Sequence, residues 1–194
     1  MINGRVKIVL LGGANTGKSA ILRTYYGNPY HFNPTIGVEV SSSMLVNKRE
    51  KSMVRFYDMG GGKHWWYWIP TNIQHADFIF LFYDVTNQQS LTEAGEILDI
   101  IVEKKGSFRI ILVGNKTDLE EQRVISIFDA NAFIQKWQAK GVMLSHIETN
   151  IRNITAFKKI IKNISSKMKR IVSQTSFNDN RKPAANWSQW TFGW

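Results

Sequence analysis

The residues with the plainest chemistry are Gly12-Gly13-Ala14-Asn15-Thr16-Gly17-Lys18-Ser19, which fit G-x-x-x-x-G-K-[ST] in full directly after the apolar run Val6–Leu11. A buried strand that stops at glycine and re-enters as a helix leaves a row of backbone N–H groups facing one concavity, and a phosphate chain fills it. Gly12 and Gly17 allow close backbone approach. Lys18 is placed to reach the β- and γ-phosphates, and the Ser19 hydroxyl to ligate Mg²⁺. The phosphate-binding set is therefore Ala14, Asn15, Thr16, Gly17, Lys18, Ser19 and Ala20. Ala14 and Asn15 are small enough for the loop to approach the terminal phosphate.

Three later stretches narrow the ligand. Gly114-Asn115-Lys116-Thr117-Asp118 follows a buried strand, where an open α/β sheet presents ligand contacts. An aspartate carboxylate there accepts two hydrogen bonds from the N1–H and amine of guanine, a donor pair adenine lacks, and the lysine stem covers the ring. Tyr57-Asp58-Met59-Gly60-Gly61 also ends a strand; Asp58 suits Mg²⁺, and the Gly61 N–H suits a γ-phosphate. In Asn33-Pro34-Thr35-Ile36-Gly37, Thr35 offers a further hydroxyl ligand to Mg²⁺ from a loop that can order with phosphate state.

These residues need a scaffold of strands ending at one edge. Strand-like runs alternate with helix-like ones, as in βαβ units around a largely parallel sheet. Val6–Leu11 is read as the first strand and Lys18–Tyr25 as the first helix. Ile36–Val46 and Lys51–Tyr57 form an antiparallel edge hairpin about the polar turn Asn47–Glu50. Phe78–Tyr83 and Ile110–Val113 are continuously apolar, as strands covered on both faces should be. Ser90–Lys104 and Ile127–Lys140 read as helices, and Val142–Ile147 as the last strand. Ile154, Phe157, Ile160, Ile161, Ile164, Met168, Ile171 and Val172 recur at three- and four-residue steps and predict a docked amphipathic helix. The domain is expected to span 1–173, followed by a tail at 174–194 rich in Ser, Asn, Gln and Pro.

Composition sets limits. The 194 residues suffice for one α/β domain with a sizeable core. No cysteine is present, which removes disulfides, thiolate metal sites and prenyl or palmitoyl anchors, and points to a cytoplasmic setting. The N-terminus shows neither a secretory apolar region nor a myristoylation glycine. Formal charge is +10, but seven basic residues crowd the acid-free stretch between Glu148 and Asp179. Charge concentrated on one late helix, without interleaved stacking aromatics, argues against nucleic acid and leaves at most an electrostatic lean on anionic membrane.

In this order the motifs resemble the Ras superfamily of small GTPases. Phe82-Tyr83-Asp84-Val85-Thr86-Asn87 is similar to the corresponding strand of Rab proteins, while Pro34–Gly37 and Asp58–Gly61 are equally similar to the Arf branch. The resemblance implies a P-loop small G domain: a mostly parallel six-stranded sheet with one antiparallel edge strand and five helices. It also implies GTP and GDP as ligands, with Mg²⁺ held by Ser19, Thr35 and Asp58, and switch loops around Thr35 and Gly60–Trp68. Guanine contacts fall on Asn115, Lys116 and Asp118 and on a closing loop at Asn150, Ile151 and Arg152, with Tyr30 as candidate cover for the base.

The departures are informative. Where the family places a water-positioning glutamine, this chain has Gly62, so slow intrinsic hydrolysis is expected and no catalytic side chain is assigned. Lys63, His64 or a partner protein could replace it. The second switch carries Trp65-Trp66-Tyr67-Trp68; four large aromatics in a row cannot all face inward, so Trp65, Trp66 and Trp68 are expected at a partner surface. Trp187, Trp190 and Trp194 form a second candidate stripe in the tail. Two readings follow: a guanine-nucleotide switch acting on protein effectors, or a pseudo-GTPase scaffold subunit of a larger assembly.

Overall fold

A computed structural model describes residues 2–28, 33–47, 50–104, 106 and 108–164. Six strands, β1 (Ile2–Gly12), β2 (Val38–Asn47), β3 (Glu50–Met59), β4 (Phe78–Asp84), β5 (Ile110–Asn115) and β6 (Leu144–Glu148), form one sheet in the order β2-β3-β1-β4-β5-β6. Only the β2–β3 pair is antiparallel. Five α-helices accompany it: α1 (Lys18–Tyr25), α2 (Ile69–Asn72), α3 (Gln88–Glu103), α4 (Ile127–Gln138) and α5 (residues 155–164). A short 3₁₀ turn, Lys63–Trp68, leads into α2.

The two-residue period of the strands divides the core. Val9, Leu11, Ile79, Leu81 and Tyr83 face α2, α3 and α4, where Ile69, Leu91, Ala94, Leu98 and Ile134 are buried. Ile8, Leu10, Phe56, Phe80 and Phe82 face the other way, onto Ile21 of α1 and onto Ile154, Phe157, Ile160, Ile161 and Ile164 along α5. Every residue of β4 and β5 is buried, which is why their sequences read as unbroken apolar runs. The expected late helix is present through residue 164; Met168, Ile171, Val172, the tail boundary at 173/174, Trp187, Trp190 and Trp194 lie outside the described residues.

Boundaries move for local reasons. β2 begins at Val38 rather than Ile36, because Gly37 takes a left-handed φ of 68° that breaks the extended run. α3 starts two residues early, since the Asn87 side chain caps it by accepting from the Gln89 N–H at 3.0 Å. α4 stops at Gln138, and the Val142 N–H closes its end by donating to the Trp137 carbonyl at 3.0 Å. Among the described residues, no helix is long and apolar enough to cross a membrane.

Candidate nucleotide-binding site

The motif residues converge because β1, β3, β4 and β5 all end at one edge of the sheet. A cavity of about 630 Å³ opens there, lined by Ala14, Asn15, Gly17, Lys18, Ser19, Ala20, Thr35, Gly61, Asn115, Lys116, Asp118 and Ile151. Those are twelve of the positions expected from sequence. Of the others, Thr16, Asn150 and Arg152 lie beside it. Thr16 is fully buried and braces the loop by donating its hydroxyl to the Gly13 carbonyl at 2.9 Å. Asn150 turns inward, donating to Thr117 Oγ1 at 2.9 Å and accepting from the Arg152 and Asn153 N–H groups. Arg152 is 81% exposed at its side chain and reaches Asp118 Oδ2 at 3.5 Å. Tyr30 lies outside the described residues.

The phosphate loop is held open from within. Lys18 Nζ donates to the carbonyls of Gly12 at 2.9 Å and Gly13 at 2.8 Å. Those oxygens hold the ammonium without neutralising it, and burial pushes Lys18 down to about 8 against the opposing pull of Asp58 and Glu93. A buried cation whose direct hydrogen-bond acceptors are all neutral is suited to an incoming anion. At Gly17, whose φ is 88°, a Cβ would collide with the Asn115 amide, and that amide donates to the Thr16 carbonyl at 2.8 Å. This glycine thus lets the base-side motif lock onto the phosphate loop. Lys116 sits at φ 66° and pairs with Asp84 at the end of β4.

The expected metal ligands also meet. Ser19 Oγ and Thr35 Oγ1 are 2.8 Å apart, and Thr35 Oγ1 lies 3.5 Å from Asp58 Oδ2. Asp58 is buried and lines a neighbouring cavity with Ser19, Arg23, Tyr26, Glu39 and Ser41 rather than the main one. Its Oδ1 is buried with no hydrogen-bond partner. Burial raises the Asp58 carboxyl above its usual range, Ser19 and Lys18 pull it back, and Glu39 adds to the rise. Two hydroxyls beside an unsatisfied buried carboxylate oxygen form a hard, all-oxygen donor set, which fits Mg²⁺.

The second switch holds the main correction. Trp66, expected at a partner surface, is buried in the core facing α3. The 3₁₀ geometry of its turn points one aromatic in and its neighbours out. Tyr67 is 81% exposed and Trp68 49%. Trp65 is half-buried over Gly60: a Cβ there would lie 2.9 Å from its indole Nε1 and 2.7 Å from the Thr35 carbonyl. Lys63 pairs with Glu96 at 2.6 Å and lies over the Trp66 ring. His64 and Trp65 line the main cavity. The sequence named His64 only as one possible replacement for the glutamine and assigned Trp65 to a partner surface, and it did not pair Asp84 with Lys116; only the position of Asp84 at a strand end signalled that pair.

A family model described as "Ras family" matches residues 7–170. The chain belongs to the Ras family. Among curated proteins it is similar to Ras-related protein Rab-28 of Caenorhabditis elegans, 32% identical over 131 residues, covering 63% of this chain and 52% of that protein. GTP-binding protein ypt3 of Schizosaccharomyces pombe is 31% identical over 173 residues, 88% of this chain and 78% of that protein. Ras-related protein RabC of Dictyostelium discoideum is 29% identical over 181 residues, 90% and 91% of the two chains. The chain thus spans about half the length of the Rab-28 relative and most of the other two. As a divergent, Rab-like member of the Ras family, it has the mixed six-stranded sheet that its motifs implied.

Proposed function

We propose that this chain is a guanine-nucleotide switch that holds GTP and GDP with Mg²⁺ and hydrolyses GTP slowly unaided. The observation that carries the reading is the Asn115–Thr16 hydrogen bond at 2.8 Å, which ties the guanine-reading loop to the phosphate loop inside one cavity. In this reading Lys18 and the loop N–H groups take the phosphates, and Asp118 takes the N1–H and amine of the base. The stem of Lys116 covers the ring, and the Ile151 N–H meets the guanine carbonyl. Ser19, Thr35 and Asp58 would hold Mg²⁺, which would supply positive charge against the phosphates. Positioning is the larger part of phosphoryl-transfer catalysis, and Gly62 brings no side chain to the water.

The face that meets protein effectors comprises Ile36, Val40, Met44, Tyr67 and Trp68, all exposed large apolar residues of the switches and β2. The Rab-like relatives support a partner-binding role. The tail tryptophans extend this proposal, and the basic late stretch allows an electrostatic lean on an anionic membrane. The scaffold reading, favoured by Gly62, would use Trp65–Trp68 and the tail as assembly surfaces.

Binding is tested by titrating nucleotide-free protein with GTP, GDP and ATP in the presence of Mg²⁺. Guanine nucleotides bind and ATP competes at least 100-fold less well if the reading holds. Equal competition by ATP contradicts it, and no binding of any nucleotide leaves the scaffold reading.

A further inference from the structure

Gly62 is more than a missing glutamine. The imidazole of His64 lies over its bare face: a Cβ built on Gly62 would sit 2.6 Å from His64 Cε1, 3.0 Å from Nδ1 and 3.4 Å from Nε2. A methyl-sized group and the ring cannot share that space. Glycine at 62 is therefore the residue that admits the ring to this part of the cavity wall, which both residues line together with Ala14 and Lys18 of the phosphate loop. The turn that presents His64 is anchored at both sides. Lys63 is engaged by Glu96, Trp66 is buried, and the Trp65 ring lies 4.7 Å from the His64 ring, centroid to centroid. Lys63, the other candidate, is thereby turned away. Among the described residues neither ring nitrogen of His64 has a hydrogen-bond partner.

We infer that His64 positions the attacking water in place of the missing glutamine. The inference rests on the guanine-nucleotide reading above. In the step, the water oxygen bonds to the γ-phosphorus, the bond from that phosphorus to the β–γ bridging oxygen breaks, and its electron pair leaves with GDP. A His64 ring nitrogen accepts a hydrogen bond from one water O–H; the proton finishes on the released phosphate, and the imidazole is unchanged. An exposed ring that no hydrogen bond orients is a weaker device than a braced side chain, in line with the slow hydrolysis proposed above.

The test is single-turnover hydrolysis by the full chain preloaded with GTP, started with Mg²⁺ after the bound nucleotide has been quantified. His64→Ala lowers the rate at least tenfold, in the range of a lost water-handling group, while GTP and GDP affinities stay within twofold. His64→Gln retains most of the rate, because its carboxamide can also bond water. In the Gly62→Gln background the ring is excluded, so adding His64→Ala changes the rate less than twofold; this non-additivity is what a merely structural His64 does not produce. A His64→Ala rate within twofold of wild type, equal losses in both backgrounds, or no hydrolysis by GTP-loaded wild type overturns the inference. Absence of bound GTP before the start overturns the nucleotide reading itself, and is seen separately.

Discussion

The phosphate-and-base side of the cavity and the Gly60–Trp68 side are built by opposite means. The first is fixed by buried, mutually dependent contacts: Lys18 on two loop carbonyls, Thr16 on Gly13, Asn115 on Thr16, and a glycine at 17 that lets the last of these form. The second hangs an exposed histidine and two exposed aromatics on a single buried tryptophan. In the proposed mechanism, holding the ligand is over-determined, whereas handling the water depends on one ring. Such a division would let a nucleotide fold keep binding while its rate of cutting drifts.

If Trp66 is the anchor of the second region, Trp66→Ala should destabilise the fold by about 3–5 kcal/mol. In a chain of this size that is a fall of roughly 6–20 °C in melting temperature. A smaller loss, under about 1 kcal/mol, would show that the turn is held by its exposed residues instead. In the first region, Lys18→Ala should weaken GTP binding by about 2–5 kcal/mol, as expected for truncating a buried charge that pairs with the ligand. Titration should read this as roughly 30- to 5,000-fold. Melting temperature should move little or rise, because the mutation also removes a buried, unneutralised cation.

The acidity of Lys18 gives a finer test. Burial holds its ammonium down to about 8, and an anionic phosphate placed beside it should raise that value. Binding therefore takes up a proton once pH exceeds about 8. Affinity for GTP should be flat from pH 7 to 8 and fall by up to about tenfold per unit above it. A flat profile to pH 9 would mean that the ammonium is stabilised without the ligand. The smallest effect is reserved for Trp68→Ala, which should change stability by no more than about 0.5 kcal/mol. Loss of partner protein from pull-downs at unchanged stability would place Trp68 in the contact face.

The fold was legible because its determinants are local and periodic. Continuous apolar runs marked β4 and β5, and the three- and four-residue spacing of Ile154 to Ile164 marked α5. The phosphate and base motifs were legible because glycine, lysine and aspartate at fixed spacings have few other uses. What was not legible depends on approach between segments. Nothing in Trp65–Trp68 says which ring turns inward, since a 3₁₀ turn has neither helical nor strand period. The pairing of Asp118 with Arg152 and of Asp84 with Lys116 needs the loops in place. The seat of His64 over Gly62 is legible only as space left by an absent Cβ.

The central claim, that the site holds GTP more surely than it cuts it, is tested most directly by following one preloaded cohort of GTP through both dissociation and hydrolysis. The expected result is tight retention of GTP with slow loss of the γ-phosphate, and faster loss in Gly62→Gln, where a carboxamide returns to the water. Rapid unaided hydrolysis by the wild-type chain, or release of GTP faster than it is hydrolysed in the presence of Mg²⁺, would contradict it.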